Sequence, residues 1–184
     1  MNAFDDLVRL VPPPPRPRWA QGDWGAVAAE LGLDLPADFK RLVGAYGAHR
    51  FADFLTPLTP FGGPDLLVGP AKRLLEQERG FRAKHPDACP YPFYPEPGGL
   101  LPWAGTDNGD RVCWLTAGPP DGWTVVCWNP RGWYYDAHPV GAVEFLAGWL
   151  SGRISTSVFP DAAEFTEEDE EDEWDEEDEE DEEE

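Results

Sequence analysis

Residues 167–184 are Asp or Glu at every position except Trp174, and this block limits what the chain can fold. Carboxylates at such density repel one another, and a lone indole gives no core to close around. The block is therefore expected to stay disordered and extended. The chain holds 36 acidic and 14 basic residues. Removing the 17 carboxylates of the block leaves 19 against 14, so the body carries −5 and the block −17. A polyanion attracts cationic partners over a range set by salt. A purely solubilising role is the other reading of the same charge.

What remains, about 150 residues once both ends are set aside, is enough to bury one core. Apolar residues make up 41% of the chain, supporting a globular body, and the 21 Pro and 19 Gly predict short elements and many loops. Cys89, Cys113 and Cys127 form no C-x-x-C pair and are odd in number, which argues against a disulfide framework. The N-terminus lacks a basic, then long apolar, leader pattern, and no segment approaches the ~20 apolar residues of a membrane span. We expect a reduced, cytoplasmic protein, with neither nucleic acid nor an anionic membrane as its direct ligand.

Three segments are expected: a proline-rich arm over 1–19, an α+β domain over 20–160 and the disordered acidic tail over 161–184. Residues 1–11 could form a turn or two of amphipathic helix, with Phe4, Leu7, Val8 and Val11 to one side. Pro12 to Arg18 reads as a stiff polyproline II spacer. Its P-x-x-P plus Arg pattern is also what aromatic-grooved domains bind. A helix is expected from Trp24 to Leu31, capped by Asp23 and ended by Gly32. A second follows Pro36, with Phe39, Leu42, Val43 and Tyr46 at i, i+3, i+4, i+7, Asp38 near its positive end and Gly47 as its stop. Phe51 to Leu55 reads as a short strand, Ala71 to Lys84 as a helix and Cys89 to Gly99 as an irregular proline-rich loop.

From Leu100 the period switches to strands. Leu100–Ala104, Arg111–Thr116, Trp123–Asn129 and Trp133–Tyr135 are separated by turn sequences, among them Asp107-Asn108-Gly109-Asp110. They predict a four-strand antiparallel meander, closed by a helix over Val140–Leu150. Alternation places Cys113 opposite Val112 and Trp114, and Cys127 opposite Val126 and Trp128, without saying which face is inward. The fold class is thus α+β, a single domain with helices packed around an antiparallel sheet. Trp103, Trp114, Trp123, Trp128 and Trp133 lie on or beside these strands; some belong to the core, and the others either pack under the helices, the favoured reading, or lie exposed as interface anchors.

Catalytic signatures are missing. His49, His85 and His138 lack metal-ligand spacing, with His49 read as a loop residue and His138 as the start of the last helix. The 107–110 segment fails the spacing of a calcium loop and reads as a hairpin turn. There is no nucleophile elbow, phosphate loop or dinucleotide fingerprint. The cysteines lack basic neighbours and read as buried structural residues. We expect no catalytic residue, no cofactor and no metal.

Several strings in order resemble the SUKH superfamily (SMI/KNR-type). They are Leu31-Gly32-Leu33 with Leu35-Pro36-Ala37-Asp38-Phe39, Tyr46-Gly47, Phe54 to Pro60, Leu101-Pro102-Trp103-Ala104 with Thr106 and Gly109-Asp110, Cys113-Trp114, Pro119 to Val126 and Val143 to Gly152. The resemblance implies a non-catalytic α+β domain, in a superfamily holding bacterial immunity proteins and a fungal cell-wall synthesis regulator. It implies direct binding to a protein, often a toxin encoded nearby. A basic, nuclease-type toxin would suit the acidic tail, with Glu168, Asp169, Asp172, Trp174, Asp175, Asp178 and Asp181 as candidate partner-binding residues. The alternative is an intracellular regulatory scaffold that recruits several proteins. A monomer is expected.

Overall fold

A computed structural model describes residues 2–62 and 67–165. Helix α1 (Ala3–Leu10) begins at Asn2, whose side chain accepts the Asp5 N–H, and buries Leu7 completely. It lies against α5 (Ala142–Leu150). The proline-rich segment that follows is not a straight rod. It bends at Pro15–Arg16 and turns at Arg18–Trp19, forming a strap pinned at both ends to the C-terminal end of α3 (Ala37–Tyr46). The Tyr46 hydroxyl donates to the Val11 carbonyl at 2.7 Å, and the Ala48 N–H donates to the Arg18 carbonyl at 3.0 Å. Gly47 makes this crossing possible: its φ is +58°, and a Cβ there would lie 1.9 Å from the Arg18 oxygen.

Helix α2 (Trp24–Leu31) has the expected caps. Asp23 accepts the N–H groups of Gly25 and Ala26, and Gly32 leaves the helix in the left-handed conformation. The Tyr94 hydroxyl donates to the Leu31 carbonyl, tying the 89–99 loop to that helix end. Helix α3 buries the expected Phe39, Leu42, Val43 and Tyr46. Helix α4 spans Val68–Lys84.

The sheet is an antiparallel meander of five strands in sequence order: β1 (Leu55–Pro57), β2 (Leu100–Thr106), β3 (Arg111–Leu115), β4 (Thr124–Asn129) and β5 (Tyr134–His138). The fifth strand corrects the expectation of four. It also corrects the strand expected at Phe51–Leu55: Phe51 only bridges Leu55, and Ala52 and Asp53 reverse the chain with positive φ. The chain then runs along β2 from Leu55 to Pro57, an edge position that tolerates a proline. A bulge between Pro102 and Ala104 shifts the β2–β3 register at Trp103.

Both faces of the sheet are covered, which settles the alternation. Leu101, Trp114, Val125 and His138 are opposite one another across four strands and share a face. Phe39 of α3 meets Trp114 edge-on at 4.8 Å, and Phe145 of α5 lies 5.2 Å from His138. Trp128 belongs to the other face, packed on Phe93 of the proline-rich loop and stacked with Tyr135. Beside it Trp133 stacks on Phe81 of α4 at 4.2 Å. Trp103, Trp114, Trp123 and Trp128 are therefore buried and Trp133 is half-buried. None of these five is an exposed anchor, because a loop and helix cover the face that a one-sided sheet would leave to solvent.

Candidate functional site

A concavity of about 530 Å³ opens where the N-terminal ends of α1, α3 and α5 converge. Each helix start brings unsatisfied N–H groups. Here a side-chain oxygen from another element takes up one such group at α3 and one at α5. Asp121, in the turn before β4, accepts the Ala37 N–H of α3 at 2.7 Å. Asp38 of α3 accepts the Val143 N–H of α5 at 3.1 Å as well as its neighbour Phe39 N–H. Helix α5 begins at Gly141, which has no capping side chain of its own, so Asp38 supplies the cap across a sequence gap of 105 residues.

The cleft presents carboxylates beside these helix ends. Its rim is carboxylate: Asp38, Asp121 and the exposed Glu144. Arg41 supplies the opposing charge, its guanidinium 3.7 Å above the Phe4 ring. Such a concavity accepts a lysine or arginine head group more readily than a phosphate. The sequence marks Asp38 only as a dipole residue and Asp121 only as a turn residue, since a cap offered across the fold leaves no local signal. Asp38→Ala is expected to lower stability by about 0.5–2 kcal/mol in urea titrations, with Asp38→Asn losing less because an acceptor remains. Equal losses for the two would remove the capping role.

The turn at 107–110 is the expected hairpin, with Gly109 at positive φ. Asp110 there is 2% exposed. It accepts from Asn129 Nδ2 at 2.8 Å, and the Arg131 guanidinium lies at 3.6 Å. Asn129 in turn accepts the N–H groups of Arg131 and Gly132, so Asp110 links two neighbouring hairpin ends. Burial pushes its carboxyl above the ordinary value of 3.8, against the pull of Arg131, Thr106, Arg111 and Asn129. A carboxyl harder to ionise in the fold than in the unfolded chain costs nothing at low pH, where both forms are protonated. The cost grows as pH rises past its unfolded value. Asp110→Asn is thus expected to gain stability relative to the parent as pH rises through and above that unfolded value. A difference independent of pH in denaturant titrations would contradict this.

Cys89, Cys113 and Cys127 are buried, and burial raises all three thiols, as structural cysteines require. His49 lies in the loop after α3 between Tyr46 and Phe51, its pKa lowered by burial against the opposing charge of Asp53. His138 ends β5 rather than starting the last helix, because the strand continues past Tyr135; Asp136 lies 3.3 Å away. No group of three His, Cys, Asp or Glu among the described residues could hold a metal ion.

The candidate partner-binding residues Glu168, Asp169, Asp172, Trp174, Asp175, Asp178 and Asp181 lie outside the described residues. Among the described residues the body ends at Phe165, whose ring stacks on Phe54 at 4.3 Å beside Phe159 and Trp149. No helix of the described residues is long and apolar enough to cross a membrane. No curated protein and no solved structure matches the chain. A family model described as SMI1-KNR4 cell-wall matches residues 22–147, more than half of the chain and most of the α+β body. On that match the protein belongs to this SUKH-type family.

Proposed function

We propose that the protein is a non-enzymatic immunity protein that neutralises a basic, nuclease-type toxin in the cytoplasm by binding it directly. Membership of the SUKH superfamily is consistent with an immunity or a regulatory role. The observation that carries the toxin reading is charge. The 17 carboxylates of residues 167–184 and the acidic rim of the helix-end cleft offer a basic protein two sites of the same sign. Nucleases are cationic where they hold phosphate, so an acidic binder both speeds encounter and covers the substrate site. The folded body would fix one-to-one geometry, and the tail would speed the encounter.

Affinity capture from native lysate tests this, with the full chain and a chain ending at Thr166 as baits at low and high salt. One basic partner is expected on both baits, held less by the shortened chain and less in salt, and losing its toxicity when bound. Several partners that persist in high salt and show no toxicity would replace this reading with a regulatory scaffold.

A further inference from the structure

A second, smaller concavity of about 220 Å³ lies where the strap crosses the end of α3. Its charge is opposite to that of the rest of the molecule. Arg16, Arg18 and Arg50 line it with Pro14, Tyr46 and His49. All three arginines are exposed. Arg50 pairs with Asp107, while Arg16 and Arg18 form no ion pair among the described residues. The Arg18 guanidinium lies 4.8 Å from the Trp19 ring, which restricts where it points. The backbone beneath is fixed by the hydrogen bonds from Tyr46 to Val11 and from Ala48 to Arg18. A cluster of guanidinium groups on a fixed backbone, in a body of net −5, is suited to a carboxylate-rich segment.

The chain carries such a segment, and it starts nearby. Phe165 stacks on Phe54, the Phe54 N–H bonds to the Phe51 carbonyl at 3.1 Å, and the Phe51 ring lies 4.8 Å from His49 in the cleft wall. Beyond Phe165 the sequence continues for 19 residues, 166 to 184. At ~3.3 Å per residue they can span about 60 Å, far more than this short chain of contacts requires. We propose that the acidic tail docks on its own body, placing carboxylates in the cleft of Arg16, Arg18 and Arg50. The docked tail is self-screened, and a basic partner must displace it from the arginines before using all its charge. This deepens the preceding reading, but the docking needs no outside partner and is tested without one.

The test uses the chain ending at Thr166 and a synthetic peptide of residues 167–184. Binding is followed by calorimetry and by the indole resonance of Trp19. One-to-one binding is expected at about 20 mM salt, weakening at least about tenfold by 200 mM. The full-length chain is expected to bind the peptide at least about tenfold more weakly, because its tethered tail competes at an effective concentration on the order of millimolar. The triple variant R16Q/R18Q/R50Q of the shortened chain should lose binding. R16Q alone, at an exposed position, should weaken it while leaving the methyl spectrum of the fold unchanged. Equal affinity of the peptide for the full and shortened chains, no binding to the shortened chain, or unimpaired binding by the arginine variants would overturn the proposal.

Discussion

Truncating Trp114 to alanine is expected to remove about 3–5 kcal/mol of stability, most of what a domain of this size has to lose. The side chain is fully buried at the centre of the sheet. It meets Phe39 edge-on, stacks with Trp103 at 5.8 Å and approaches Trp123 at the same distance, so its removal leaves a cavity walled by large rigid rings. Rings held by helix α3, by the bulge in β2 and by the turn before β4 cannot collapse inward together. Trp114→Phe isolates the cause. Among the described residues the buried Trp114 indole N–H has no hydrogen-bond partner, so phenylalanine forfeits some contact area but no hydrogen bond and removes an unsatisfied donor. In urea or guanidinium titrations the phenylalanine variant is expected to retain most of the stability that the alanine variant loses. Similar losses for both would mean that indole shape rather than filled volume holds this core.

The same tryptophans show how far the sequence could be read. Local signals were sound wherever one residue suffices to make them. Asp23 and Gly32 bound α2, the Phe39-to-Tyr46 stripe is buried as its spacing requires, and Asn108-Gly109 turns the chain between β2 and β3. The resemblance drawn from strings such as Leu35 to Phe39 and Leu101 to Ala104 agrees with the family match over 22–147. What failed depends on partners remote in sequence. Alternation along β3 and β4 gives two faces but no cover, and the cover over Trp128 comes from Phe93, in a loop with no periodicity to read. The segment Phe51–Leu55 reads as a strand from its aromatic residues, but Ala52 and Asp53 take positive φ, which alanine does not announce and a single aspartate announces only weakly. The cleft at the helix ends was illegible for the same reason. Asp38 and Asp121 become caps only when α3, α5 and the turn before β4 are brought together.

The two clefts have opposite signs, and this bears on how the tail would act. The carboxylate-rimmed cleft near Glu144 has a fixed backbone and suits a basic side chain that must be held in one orientation. The tail has charge without apolar surface beyond Trp174, which suits long-range attraction better than precise contact. On this division the body would set the lifetime of a complex and the tail would set how fast it forms.

Removing residues 167–184 is therefore expected to slow association with a basic partner by about 10- to 1000-fold at low salt while leaving the dissociation rate nearly unchanged. Rapid-mixing measurements on the full chain and the chain ending at Thr166 separate the two rates. The gap between them should narrow steadily as ionic strength rises toward about 0.15 M, where the Debye length falls to about 8 Å and only charges close to contact are felt. Charge-neutral replacement of the carboxylates with Trp174 kept should reproduce the truncation. Replacing Trp174 alone should leave association unaffected and act, if anywhere, on dissociation. A truncated chain that associates as fast as the full one but dissociates faster would reverse the assignment. The tail would then be part of the bound interface, and the charge of the body alone would set the encounter rate.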